Sequence, residues 1–313
     1  MTETAIKRSL KIARHGLALL ADPVLVPLSR KGARRPAFLH YLRRVSDPDL
    51  IRYPREICAP LACGCVVCGS SRDLIVRYLY LLGLWEPSVT AYVLRHVSYG
   101  DNVVDFGANL GYYPLLLSHS VGTHGKIIAV EASSAGFHAL ESNIRANHLR
   151  NVDCIKLAVA GHGVTEVTLT PGPPENPGET HGRSTGTAQG VKETVAAVSV
   201  RELFRDAGLE RNIRLIKVDI EGMEIPILHE LLDAPAILPQ VVDIVVEVTP
   251  VWYPRGRQDL GDLLARYRAA GFDVFQFDNG YSLDEQHPSS ARPPRRLAAT
   301  PDDSQADLVL ARR

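Results

Sequence analysis

The chain has 313 residues, 45% of them hydrophobic, with 35 Lys+Arg against 35 Asp+Glu. That length allows one large α/β domain with an additional segment and an ample core. Zero net charge argues against a bulk polyanion-binding surface, so no nucleic-acid partner is expected, and no apolar run reaches the length of a membrane span.

Residues 1–55 carry twelve Lys/Arg against four Asp/Glu. They read as a basic helical segment with breaks at Pro23, Pro27, Pro36, Pro48 and Pro54. The apolar run at 17–28 is interrupted by Asp22 and two prolines, unlike the centre of a signal peptide, which predicts a cytoplasmic protein. Residues 57–72 read as a Cys/Gly turn region. Cys58, Cys63, Cys65 and Cys68 fall within eleven residues, but only Cys65 and Cys68 have the C-x₂-C spacing of a zinc knuckle. The apolar neighbours Ile57, Leu61, Val66 and Val67 favour buried free thiols in a reducing cytosol, so no metal is expected. An apolar helical face at 73–84 ends at Trp85-Glu86-Pro87, and Ser88 caps a short helix to Val97. The division expected is 1–84, an N-terminal helical segment, and 85–313, a ligand-binding α/β domain.

That domain alternates strand and helix. Strands are predicted at 102–106, 126–131, 152–159, 214–220, 241–248, 272–277 and 306–310, with an extra strand at 165–170. Helices are predicted at 112–121, 135–149, 200–207, 226–232 and 260–270. Unbroken apolar strands separated by helices imply a mostly parallel sheet covered on both faces. A polar stretch at 171–193, rich in Pro, Gly and Thr, is long enough to be a functional loop and is read as a flap.

The first strand ends in Asp105, a turn with Gly107 and Gly111 follows, and the second strand ends in Glu131, twenty residues beyond Gly111. Strand, glycine turn, helix, strand, acid is the layout of a nucleotide-binding βαβ unit. The pattern D-x-G-A-N-x-G-Y-Y has one glycine fewer than a dinucleotide fingerprint, an acid before the turn and bulky Tyr112 where a phosphate would need room. An acid there repels phosphate and suits a cationic ligand. S-adenosylmethionine, with a sulfonium, an ammonium and no phosphate, meets that requirement.

Asp105-Phe-Gly-Ala-Asn-Leu-Gly-Tyr-Tyr113, Val130-Glu131-Ala132-Ser133, Asn143…Asn147…Asn151-Val152, Leu215-Ile-Lys-Val-Asp-Ile-Glu-Gly222 and Ala306-Asp-Leu-Val-Leu310 occur in that order. In these motifs the chain resembles the FkbM family of S-adenosylmethionine-dependent methyltransferases, over residues 85–312. Phe106 and Ala132-Ser133 depart from the family's usual residues without removing a polar contact. The resemblance implies the class I methyltransferase fold, a Rossmann-like seven-stranded, mostly parallel sheet with an antiparallel last strand. It also implies methyl transfer to a hydroxyl on a small molecule such as a sugar, polyketide or lipid, or on a peptide.

Asp105, Gly107, Asn109, Gly111 and Tyr112 are expected to line the amino-acid half of the cofactor. Glu131 would hold the ribose, Ala158 and Val159 would flank the adenine, and Ala132 is a further cofactor-binding candidate. Asp219 and Glu221 leave the fourth strand, where donor and acceptor would meet, and Glu247 ends the fifth. All three are candidate catalytic acids. His181, in the long loop, is a candidate base delivered by a lid. Trp252 and Tyr253 either wall the acceptor site or pack in the core. The rival functions are N-methylation of a peptide or amine, a non-catalytic cofactor-binding protein, and an NAD-dependent enzyme, which the missing glycine disfavours. Expected partners are a small-molecule or peptide acceptor and, in self-association, a homodimer; stable membrane insertion is not expected.

Overall fold

The computed structural model describes residues 13–22, 26–27, 36–171, 180–181, 192–208, 212–302 and 304–312. The chain divides into two units, Met1–Thr90 with Asn279–Ala291, and Ala91–Asp278 with Arg292–Arg313.

In the first unit the expected turn region is a hairpin. Strands β1 (Glu56–Pro60) and β2 (Val66–Ser70) pair antiparallel, with Cys58 opposite Cys68. These two cysteines form a disulfide, which corrects the expectation of free thiols at both positions. Directly opposed residues of an antiparallel pair bring their Cβ atoms near disulfide spacing, and composition does not reveal that opposition. Cys65 is buried and Cys63 half-buried, both outside the disulfide. Helix α1 (Leu74–Leu82) starts where Asp73 accepts the Val76 N–H at 3.0 Å and stops at left-handed Gly83. The Arg77 guanidinium on α1 pairs with Asp47 at 2.5 Å, and the Asp22 carboxylate accepts from Ser46 at 2.6 Å and Tyr41 at 2.9 Å. Such pairs tie the N-terminal helical turns to one another. Helix α2 (Pro87–His96) contains the division between the two units.

The second unit is built on one sheet. Its strands are β3 (Asn102–Phe106), β4 (Lys126–Glu131), β5 (Val152–Lys156), β10 (Ile213–Val218), β11 (Val241–Val248), β12 (Phe272–Gln276), β13 (Arg295–Arg296) and β14 (Ala306–Arg312), in the order β13-β12-β14-β11-β10-β3-β4-β5. Neighbours from β11 to β5 run parallel, and β14 runs antiparallel to β11 and β12. This is the class I methyltransferase order. The seven expected strands are all present; the two-residue β13 adds an eighth at the edge.

Helices α3 (Tyr112–Val121), α4 (Ser134–Ala146), α5 (Val200–Ala207), α6 (Glu224–Leu232) and α7 (Gly256–Ala269) connect these strands. The main core packs Phe106, Ile128, Ile216, Ile244 and Leu308 from five strands against Phe204, Leu228 and Leu264 from three helices. Strands buried on both faces read as unbroken apolar runs.

The expected strand at 152–159 splits. Its end, β6 (Ala158–Val159), leaves the main sheet to pair with β9 (Glu193–Val198), a strand the sequence does not predict. Strands β7 (Glu166–Pro171) and β8 (Thr180–His181) complete this side sheet. The proposed flap at 171–193 lies mostly outside the described residues. Among the described residues, no helix is long and apolar enough to cross a membrane.

Connections from β3 proceed to β4 and β5 on one side, and from β10 to β11 on the other. The order therefore reverses between β3 and β10. Open α/β sheets bind ligands at such a reversal, outside the carboxyl ends of the strands.

Candidate active site

The exits of β3 and β10 touch at that reversal. The Asp219 N–H donates to the Phe106 carbonyl at 3.0 Å. Gly107 adopts φ +84°, and a Cβ there would lie 1.7 Å from the Asp219 carbonyl oxygen. Only glycine permits this approach. The Gly107 and Ala108 N–H groups both donate to the Val130 carbonyl at 2.9 Å, which ties the turn to β4. Gly111 opens α3, and the Leu110 carbonyl accepts from the buried Asn143 amide at 2.9 Å.

Glu131 at the end of β4 is buried and faces this turn. One carboxylate oxygen accepts from the Asn109 N–H at 2.9 Å. The other accepts from the Ser133 N–H at 2.8 Å and the Ser133 hydroxyl at 2.9 Å. Burial pushes the Glu131 carboxyl above its ordinary range, and these donors oppose the rise. Gly136 leaves it room, since a Cβ there would come within 2.9 Å of the carboxyl carbon. Beside it, Ala132 and Met223 pack on a small apolar cluster that contains Ala158, Leu169 and Ala197.

The second concentration of charge lies at the carboxyl ends of β10 and β11. Carboxylate oxygens of Asp219, Glu221 and Glu247 lie within 4.8 Å of one another. Lys217, buried on β10 in register with Asp105 of β3, pairs with Asp219 at 2.7 Å. Its ammonium also sits 4.9 Å from the Tyr113 ring centroid, a cation–π contact. Glu221 has φ +47°, a left-handed conformation uncommon outside glycine. Three residues on, buried Glu224 accepts the Gly222 N–H at 2.7 Å and the Tyr253 hydroxyl. Burial raises the Glu224 carboxyl to about 7. The Tyr253 hydroxyl is pushed up as well, first by burial and then by the Glu224 charge.

The family model described as "Methyltransferase FkbM domain" matches residues 105–274, more than half of the chain. The chain belongs to the FkbM methyltransferase family. It is an enzyme that uses S-adenosylmethionine. A buried carboxylate beside a small apolar cluster suits the ribose and adenine of that cofactor. No curated protein matches the sequence. Among solved structures, an O-methyltransferase from Bacillus cereus in complex with SAH aligns with TM-score 0.41 and 11% identity, over 72% of this chain and 80% of that one. A SAM-dependent O-methyltransferase from Thermotoga maritima gives 0.38 and 12%, over 77% and 71%. A SAM dependent methyltransferase from Aquifex aeolicus gives 0.37 and 13%, over 72% and 89%.

In this FkbM methyltransferase the predicted residues form two groups. Asn109 and Glu131 meet in one, Asp219, Glu221 and Glu247 in the other, and Gly107 touches Asp219 between them. Asp105 and Tyr112 are both buried. Gly111 makes room for α4, because a Cβ there would come 2.8 Å from Leu140. Ala158 faces the small apolar cluster, whereas Val159 belongs to the main core. His181 is placed by its backbone, opposite Thr170, and its side chain lies outside the described residues. Tyr253, expected as an acceptor wall or a packing residue, is the partner of Glu224.

Sequence reasoning missed Lys217, Tyr113, Glu224 and Gly136. Lys217 carried a signal: a lone cation inside an apolar strand requires a buried partner. Glu224 carried another, as a third acid in the six residues from Asp219.

Proposed function

We propose that the protein transfers a methyl group to a hydroxyl of a small molecule, of the natural-product, sugar or lipid class. The convergence of Asp219, Glu221 and Glu247 within 4.8 Å, one strand over from the turn that carries Asn109, supports this reading. S-adenosylmethionine supplies an electrophilic methyl group on a sulfonium. Glu131 would accept hydrogen bonds from the ribose hydroxyls, Ala132 and Ala158 would flank the adenine, and the turn from Asp105 to Tyr112 would hold the amino-acid portion. Asp219 or Glu221 would accept the proton of the acceptor hydroxyl as its oxygen bonds to the methyl carbon and the methyl–sulfur bond breaks, with the neutral thioether S-adenosylhomocysteine as the leaving group. Such a base contributes roughly 10²–10⁴-fold, and alignment of the two reactants up to roughly 7–11 kcal/mol. Lys217 fixes one Asp219 oxygen at 2.7 Å, which sets the direction of the carboxylate.

N-methylation of an amine or peptide is the second reading. The same trio of acids favours it, because three carboxylates attract an ammonium. We place residues 1–84 outside the methyltransferase domain, and we keep a homodimer within the proposal. The Cys58–Cys68 disulfide counts against the cytoplasm, since such bonds persist in oxidising compartments.

Incubation with isotope-labelled S-adenosylmethionine and fractionated metabolite extracts tests the reading. A labelled product heavier by one methylene, with the label on oxygen, is the expected result. Label on nitrogen selects the second reading, and no transfer to any fraction by a protein that binds the cofactor contradicts both.

A further inference from the structure

The backbone that carries Glu221 needs restraint. Glu221 and Gly222 adopt consecutive left-handed conformations, φ +47° and +106°. A non-glycine residue persists there only when its surroundings hold it. Met223, which precedes α6, makes no side-chain cap to the helix.

We propose that Glu224 is the positioning residue of the acidic trio: by accepting the Gly222 N–H and the Tyr253 hydroxyl together, it fixes the Glu221 turn to the segment that follows β11. The proposal rests on reading the trio as the acceptor end of the site. One Glu224 oxygen takes the Gly222 N–H at 2.7 Å, the other takes the Tyr253 hydroxyl, and the Ile225 N–H donates to that same hydroxyl at 3.4 Å. Tyr253 lies five residues beyond the end of β11, the strand that carries Glu247. The brace therefore joins the two strand exits from which the three carboxylates converge. A carboxylate in the first turn of a helix also meets the positive end of the helix dipole.

The charged carboxylate is the form matched to two donors. A proton on Glu224 occupies one oxygen, and the Tyr253 hydroxyl must then accept instead of donate. The titratable groups acting on Glu224 are that hydroxyl and the Glu221 carboxylate of its own turn. Neither is a cation. Burial moves its proton affinity to about 7, so the brace changes state near neutral pH.

Nuclear magnetic resonance of the full chain, with labelled glutamate and glycine, reads this directly. In the wild type the Glu224 carboxyl and the Gly222 amide should titrate together near neutrality. Glu224→Gln should abolish both transitions and shift the Glu221 carboxyl resonance. Tyr253→Phe, the second variant should the first fail to fold, should speed Gly222 amide exchange about tenfold, as expected for loss of one buried hydrogen bond. A Gly222 amide indifferent to pH and to Tyr253→Phe, or a Glu221 resonance unchanged in Glu224→Gln, would overturn the proposal. Calorimetry with S-adenosylmethionine on the same samples keeps the two readings apart. Failure of the wild type to bind would count against the proposed function and leave the brace standing.

Discussion

Glu131 and Glu224 are both buried carboxylates at the ends of parallel strands or just beyond them, and they are held in different ways. Glu131 takes three hydrogen bonds, two of them from backbone N–H groups fixed in tight turns. Glu224 takes one N–H and one side-chain hydroxyl that rotates. Burial raises the proton affinity of both. At Glu131 the rigid donors fix the direction of the carboxylate, which in the proposed function would receive the ribose hydroxyls. At Glu224 the looser set leaves a carboxyl that exchanges its proton near neutral pH. One sheet thus supports a preorganised end and a switchable end.

The largest disruption is expected where the two ends touch. Gly107→Ala places a Cβ 1.7 Å from the Asp219 carbonyl in a left-handed conformation. It should cost roughly 3 kcal/mol or more of stability, read by thermal or denaturant unfolding. Normal stability would mean that the exits of β3 and β10 do not meet as described.

Glu224→Gln comes next. The rise of the Glu224 carboxyl from 4.5 to about 7 means that the native protein binds more protons than the unfolded chain between those values. Stability from this group is therefore present at low pH and is lost as pH rises through that window. Glutamine removes the loss. The variant should match the wild type at pH ~5 and exceed it at pH ~8 by up to about 3 kcal/mol. Parallel pH–stability curves would contradict the assignment of the buried proton.

Asp219→Asn should lower turnover roughly 10²-fold while cofactor affinity changes little, if Asp219 takes the acceptor's proton. A matching loss of affinity would move Asp219 to the cofactor's ammonium. Asn143→Ala is the mildest change. It leaves the Leu110 carbonyl without its 2.9 Å donor and should cost about 1 kcal/mol of stability. A loss of several kcal/mol would mean that the turn after β3 depends on this one bond more than its other contacts suggest.

The sheet was legible because its strands are unbroken apolar runs; 102–106, 126–131 and 241–248 agree with β3, β4 and β11 to the residue. The glycine turn after β3 was legible because its determinants are local. Asp105, Gly107, Asn109 and Gly111 span seven residues, and Glu131 ends the next strand. Interactions made across the chain were not legible. Tyr253 and Glu224 are 29 residues apart, and nothing in either segment names the other. Glycine and proline in 57–72 hid the β1–β2 hairpin, and with it the opposition of Cys58 and Cys68. Lys217, a lone cation in an apolar strand, is the counter-ion of Asp219, which lies in the turn beyond it. The start of α7 at Gly256 was missed because its first turn is polar.

Calorimetric titration of S-adenosylmethionine into the wild type and Glu131→Ala tests the central claim, that the end of β4 beside the β3 turn is the cofactor site. The wild type should bind, and the variant should bind about 1–3 kcal/mol more weakly, because ribose hydroxyls and the Asn109 and Ser133 donors lose their acceptor. Equal affinity in a folded Glu131→Ala protein would contradict the account.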